Sequence, residues 1–425
     1  MKRIEYPNYK ETLYHTRLKK RLSTYFIHKP GFSKSYVTLS TPIGSIHQSY
    51  LDETGSVQEV PKGVAHFLEH KVFEKDGADI SKAFSLQEAS LNAFTEHNQT
   101  TYLFSATNHL LSNTQRLIEM FFYPEFTETG VEKEKNIITE ELNMHLDDPY
   151  YKQYHGLINN LYHTHPIRDD ILGTKQSIQA ITLDHLRDMH EAYYTPDVAT
   201  LVIVSGADAN TVLGALESTV TLPGQTSKRP NPALPEEPSH VVRKKADETL
   251  NVKMPSVLLG LKLTPFDGSA VERIKDSLSL SIFLDLALGK SSDLYEALLE
   301  KGIINDTYGL EVAYEKNYAY ALIGSETPDP HEADTTLREA IKDLKTLAIS
   351  REDFNRVKRQ MLGNFILGLD HPESLAYQFT DYIQSDVNYY DVLTIASEIT
   401  LEEVSAQSRR LDDAFLSSYI VRANK

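Results

Sequence analysis

Apolar positions recur along this chain at two different periods. From Val131 to Leu146, VEKEKNIITEELNMHL, the spacing is helical. At about 100° per residue, Val131, Ile137, Ile138, Leu142 and Met144 gather on one face, which predicts a core-facing helix. Glu134 and Glu141 fall in the middle of that face, seven residues apart and nearly eclipsed. Glu132, Lys133, Lys135, Asn136, Thr139, Glu140 and Asn143 fall outside it or at its edge. A second helix is predicted around His66 to His70, HFLEH. Val64, Ala65, Leu68 and Val72 make one apolar face, and Phe73 gives the polar side an apolar neighbour. Pro61 stands near the first turn, where a missing N–H costs little. A helix with apolar residues on both sides is predicted to be buried.

Elsewhere the period is two. YVTLSTPIGSI from Tyr36 and SVLLGLKLTPF from Ser256 read as strands. In LNAFT, Leu91, Ala93 and Thr95 alternate with Asn92 and Phe94, and TTYLFSAT from Thr100 is a candidate hairpin partner. Between Leu222 and Ala246, prolines at 223, 230, 232, 235 and 238 disfavour helix and central strand alike, so this stretch is read as a semi-extended linker. The expected organisation is a domain over 1–222, a linker over 223–246 and a domain over 247–425. A chain of 425 residues is too long for one ordinary core, which agrees.

The chemistry lies in the polar residues of the two helices. On a helix, His66, Glu69 and His70 share one face, so two imidazoles and a carboxylate point into one small volume. That is what a zinc ion and its attendant base require, in the inverted order of the zinc-protease helix motif. Two histidines leave one ligand to be found: a carboxylate, a cysteine or a third histidine. The chain has no cysteine. Two carboxylates in the centre of a core-facing stripe need an explanation, and a metal ligand with a supporting carboxylate supplies one. The face preference selects Glu141 over Glu140. Read alone, the pentapeptide also fits a solvated surface helix, and the two glutamates also fit pairing with a buried Arg or Lys.

These motifs together resemble the insulinase/pitrilysin family of zinc metallopeptidases, in the short-chain branch that includes mitochondrial processing peptidase. HFLEH is similar to the family's zinc helix, and NIITEEL with Glu134 to its second helix. LNAFT resembles the strand that pairs with substrate backbone. HPIRDDILGTKQSI from His165 and YYTPDVATLVIVSGAD from Tyr193 are similar to further landmarks. The resemblance spans the first half and continues more weakly into the second. It implies one Zn2+ per chain held by His66, His70 and Glu141, Glu69 as general base, Glu134 in support, and Asn92, Ala93 and Phe94 as substrate-binding residues. It also implies an α+β fold of two homologous domains, each a mostly antiparallel sheet packed with helices, facing each other as a clam shell. The second domain carries no zinc motif.

One departure stands out. Active members usually carry an arginine and a tyrosine in the second domain, in a motif resembling LREKxGLAYSV. The matching stretch here is LLEKGIINDTYGL from Leu298: the arginine position falls on Leu299 and the tyrosine position near Asp306, with Tyr308 two residues beyond. Tyr308 is read as structural. In family heterodimers one subunit keeps the zinc motif and the other supplies the Arg/Tyr pair. The resemblance therefore implies a zinc-bearing subunit with a partner of the same fold, or a homodimer. A non-catalytic assembly subunit is the competing reading, against which the intact zinc motif argues. Mn or Co would fit the same donor set.

Net charge of −17 argues against nucleic acid or an anionic membrane as the main partner. The first twenty residues have basic positions but no apolar run behind them, so no secretory signal is read there, and no run is long enough to span a bilayer. A cytoplasmic enzyme is the expectation. His163, His165, His185 and His190 are not at ligand spacing, and His165, before Pro166, is expected to serve a loop.

Overall fold

The computed structural model describes residues 1–75, 77–230 and 234–424. The chain is α+β and builds two principal sheets. The first is formed by β1 (Lys2–Tyr6), β2 (Glu11–Leu18), β3 (Leu22–His28), β4 (Ser35–Thr41), β5 (Ala89–Thr95), β6 (Thr100–Ala106) and β7 (Thr200–Ser205). Their spatial order is β1-β2-β3-β7-β4-β6-β5, with β3 and β7 parallel and the other neighbours antiparallel. The second is formed by β8 (Lys245–Leu250), β9 (Ser256–Leu263), β10 (Gly309–Tyr314), β11 (Ala319–Glu326) and β12 (Leu416–Ala423), in the order β8-β12-β9-β11-β10. Here β8 and β12 are the parallel pair.

The two orders are the same once β1 and β2 are set aside. Numbered by their sequence within each half, both read 1-5-2-4-3 with the parallel pair in the same place. This shared topology fits the expected pair of homologous domains. It also makes β5 an edge strand, as β10 is in the second sheet.

The compact units are not contiguous stretches of chain. One contains Met1–Leu142, Asp169–Pro232 and Ile366–Asp386; the other contains Asn143–Arg168, Ala233–Phe365 and Val387–Lys425. Residues 231–233, within the expected linker, lie outside the described residues. The linker ends earlier than expected, because Lys245 and Ala246 already belong to β8. β1–β3 occupy the first 28 residues, where the sequence reading placed no elements.

Four helices matter for the site: α1 (Val64–Val72), α2 (Glu128–Asp147), α3 (Pro149–Leu161) and α4 (Pro372–Gln384). In the first unit, one sheet face carries Leu39, Tyr102 and Phe104 into a core shared with Phe67, Leu68 and Val72 of α1. The opposite face is covered in part by α4, whose Thr380 and Gln384 hydrogen-bond Thr38 at 2.6 Å and Ser40 at 2.7 Å. Every residue of β7 is buried, as expected of a central strand covered on both faces. In the second unit α3 lies on β9 and β12. Gly260 and Gly156 permit that approach, since a Cβ at Gly260 would meet Leu157 and Leu161, and one at Gly156 the Tyr419 ring.

α1 starts later than expected. Its N-cap is Gly63, at φ 88°, so Pro61 precedes the helix rather than opening it. A side chain there would be strained by the positive φ and would also strike the Leu172 carbonyl. Gly173, at φ 84°, is pressed in turn against the Lys62 carbonyl, and Lys62 pairs with Asp169 at 2.6 Å. The DDILGTK stretch therefore buttresses the start of α1, which fixes where its histidines point.

Candidate functional site

α1 and α2 bring the five predicted polar residues together. His66, His70 and Glu141 each offer a donor atom, and these atoms lie within 4.8 Å of one another. His66 Nε2 is 3.8 Å from Glu141 Oε1, and His70 Nε2 is 3.6 Å from Glu141 Oε2. Both separations exceed hydrogen-bond length. They are close to the ~3.3 Å edge of a tetrahedron whose bonds are about 2.0–2.1 Å. The donor set is two imidazoles and a carboxylate without sulfur, which suits a borderline divalent cation such as zinc. No other such group of His, Asp and Glu occurs among the described residues.

Glu134 and Glu141 stand two turns apart on α2, and His70 lies between them. Its Nδ1 is 3.0 Å from Glu134 Oε1, while its Nε2 faces Glu141. Donation from Nδ1–H to Glu134 leaves the Nε2 lone pair directed at the shared centre. Burial disfavours the charged form of His70, but the Glu134 bond and the nearby Glu69, Glu134 and Glu141 charges outweigh it and raise its pKa. Glu134 is held below the usual carboxylate range: burial opposes its charge, and His70 and Lys71 more than offset that. Glu140 is exposed.

Lys71 was not foreseen. It is only 1% exposed, pairs with Glu74, and sits 3.9 Å from Glu134 Oε2. Glu134 therefore has both partners weighed from the sequence, a histidine and a buried lysine. Gly130, one turn before Glu134, leaves room for the Lys71–Glu74 pair, since a Cβ there would meet Lys71 Nζ at 2.8 Å.

Glu69 is 8% exposed and accepts a 2.6 Å hydrogen bond from the Thr95 hydroxyl. Burial raises its pKa, the Thr95 bond and His70 lower it, and Glu141 adds to the rise; the net shift is upward. A buried carboxylate whose pKa is raised in this way is suited to accept and return a proton. Thr95 was legible only as the end of the LNAFT strand, yet it ties that strand to Glu69.

The site opens into a cavity of about 490 Å³ lined by Glu69, His70, Phe73, Ala93, Glu134 and Ile137, among others. Ile137 corrects the expected helix face. Ile137 and Met144 are 43% and 68% exposed, whereas Val131, Ile138 and Leu142 are buried. The apolar stripe of α2 is divided: part joins the core, and Ile137 faces the cavity.

β5 pairs with β6 in the register Ala93↔Tyr102 and Thr95↔Thr100. Ala93 lines the cavity beside Glu69, and its N–H is accepted by the Asn92 side chain at 2.9 Å. Asn92 stands at the sheet edge, where it lines this cavity and a second one. Phe94 points away from His70 and lies 5.4 Å, centroid to centroid, from Tyr377 of α4. The Tyr308 hydroxyl donates to the Leu288 carbonyl at 2.6 Å inside the second unit, a structural placement. Leu299 is 42% exposed. The other histidines serve local structure: His165 Nδ1 accepts from Ile167, His185 caps Thr182, His190 bonds the Phe121 carbonyl, and His163 approaches His240 O.

Comparison with known proteins identifies the family. Residues 51–175 match the family profile of insulinase, peptidase family M16, and residues 180–361 match that of the peptidase M16 inactive domain. An uncharacterised zinc protease of Bacillus subtilis, YmfH, is 38% identical over 415 residues, 95% of each chain. The chain belongs to the insulinase family, M16. A second uncharacterised zinc protease of B. subtilis, YmxG, is 28% identical over 76% of this chain and 78% of its own. A crystal structure described as that of an M16-like peptidase of Alicyclobacillus acidocaldarius superposes with a TM-score of 0.92 at 27% identity, covering 99% of this chain and 100% of its own. No helix among the described residues is long and apolar enough to cross a membrane.

Proposed function

We propose that this M16 protein is a zinc-dependent endopeptidase acting on short or unfolded peptides, with one zinc per chain. The observation that carries the reading is the convergence of His66, His70 and Glu141 beside a buried, hydrogen-bonded Glu69. His66 Nε2, His70 Nε2 and a Glu141 oxygen would hold the ion, and Glu134 fixes the His70 ring and its tautomer. When bound, the metal would lower the pKa of a coordinated water towards about 7 and polarise the scissile carbonyl. Glu69 takes the proton of the attacking water and delivers it to the leaving amine. Thr95 keeps the Glu69 carboxylate aimed along β5.

Substrate adds to β5 as a further strand. Ala93 presents its N–H at the open edge, where a peptide carbonyl replaces the Asn92 side chain as acceptor. Backbone pairing selects extended polypeptide and tolerates many side chains.

The chain acts as the zinc-bearing member of a two-subunit enzyme, either with a same-fold partner that supplies an Arg/Tyr pair or as a homodimer. Leu299 at the arginine position and the internal engagement of Tyr308 support the first arrangement. The competing reading is a non-catalytic assembly subunit. A quenched fluorescent peptide library tests the proposal, incubated with the chain alone and with a candidate partner, with and without chelator. Chelator-sensitive cleavage supports a peptidase; absence of cleavage in every mixture, with zinc bound, brings the assembly role forward.

A further inference from the structure

A second cavity, of about 700 Å³, lies on the sheet face opposite α1. It is roofed by the first turns of α4, and its walls include Tyr36, Leu103, Phe94 and Tyr377. Strand register explains its course. Thr38 of β4 pairs with Leu103 of β6, which pairs with Asn92 of β5, so one row of side chains crosses three strands and ends at the open edge. Phe94 lies two residues along on the same face, 5.4 Å from the Tyr377 ring. The cavity is thus a trough that opens where β5 lacks a neighbour.

We propose that this trough is a side-chain subsite for the peptide strand. It takes large apolar side chains, aromatic or branched aliphatic, from the two positions flanking the residue that faces Glu69. The inference rests on the reading that peptide adds to β5. In an added strand, the residue opposite Ala93 shares Ala93's face and looks towards Glu69 and His70. Its two neighbours, opposite Asn92 and Phe94, turn to the other face and meet the trough. Rings and aliphatic carbons dominate the walls, so burying a large apolar group is favoured. Glu373 at the α4 end is exposed, and Thr38 and Asn92 are the polar members of the floor on either side of Leu103. Backbone pairing then supplies affinity, and the trough supplies sequence preference at alternate positions.

A phenylalanine scan tests this. One Phe is moved stepwise through an otherwise alanine-rich extended peptide, and both binding, by fluorescence anisotropy, and cleavage are recorded. The expected profile has two maxima two residues apart, each at least about tenfold above the host peptide. Ser374→Trp, at a half-buried position on the first turn of α4, fills the trough and flattens both maxima. Tyr377→Ala widens it and moves the preference towards Trp. A flat scan with the wild-type chain, two maxima that survive Ser374→Trp, or a Lys scan that outperforms the Phe scan overturns the proposal. Binding with two maxima but no cleavage, with zinc bound and a candidate same-fold partner present, refutes the peptidase reading and leaves the trough standing. Cleavage with a flat scan does the reverse, and no binding of any peptide overturns both.

Discussion

Glu134→Gln isolates the support that α2 gives to His70. The substitution keeps size and shape but removes the charge that accepts from His70 Nδ1 at 3.0 Å and lies 3.9 Å from Lys71 Nζ. Lys71 retains Glu74, so α1 keeps a partner for its buried cation and the fold stays intact. A Gln oxygen can still accept from His70 Nδ1, but without the carboxylate charge the His70 Nε2 is less basic. Mutation of such a partner weakens metal binding by about 10–100-fold, which is about 1.4–2.7 kcal/mol. The assay is zinc affinity by competition with a chromophoric chelator, with the melting temperature of the metal-free protein as control. The expected result is weaker affinity and an unchanged metal-free melt. Zinc affinity within twofold of wild type refutes the reasoning, because the Glu134 charge would then contribute nothing to the site.

Glu69→Gln should abolish turnover while bound zinc stays stoichiometric; substantial residual cleavage would remove Glu69 from its role as base. Gly63→Ala combines a positive φ with a collision at Leu172, so it should destabilise the chain by about 2 kcal/mol or more; a melt unchanged from wild type would show that α1 can start differently. Glu237 in the linker receives backbone N–H groups of His163, Thr164 and His165 and pairs with Lys262. Burial opposes its charge, but these partners pull its pKa down to about 2. A lowered folded-state pKa gives stability that is complete above the unfolded value near 4.5 and is lost as pH falls towards 2. Glu237→Gln should therefore cost on the order of 2 kcal/mol at pH 7, with the gap to wild type closing between pH 4.5 and 2; a gap that does not vary with pH would contradict the assignment.

What the sequence disclosed about the site came from short-range regularities. HFLEH and the Glu134/Glu141 pair are one-helix patterns, and LNAFT is a one-strand pattern, so periodicity alone could orient them. The contacts that complete the site join distant segments. Lys71 follows a histidine in an ordinary helical register, and only α2 lying beside it, with Gly130 making room, turns it into a buried partner of Glu134. Ile137 looked like core because an apolar residue facing a cavity carries the same signature as one facing a core. Gly63 and Gly173 matter through each other, more than a hundred residues apart. The assignment of α4 to the first unit likewise depends on Thr38–Thr380 and Ser40–Gln384, contacts that a linear reading at the Pro-rich segment has no means to find.

Reconstitution tests the central claim most directly. The purified chain is stripped of metal, mixed with a candidate same-fold partner, and titrated with zinc while hydrolysis of an extended peptide is followed. The account predicts no hydrolysis by the stripped chain, activity rising linearly to one zinc per zinc-bearing chain, and no recovery for Glu69→Gln at the same occupancy. Hydrolysis that is indifferent to zinc, or a fully loaded wild-type chain that cleaves nothing in any mixture, would contradict it.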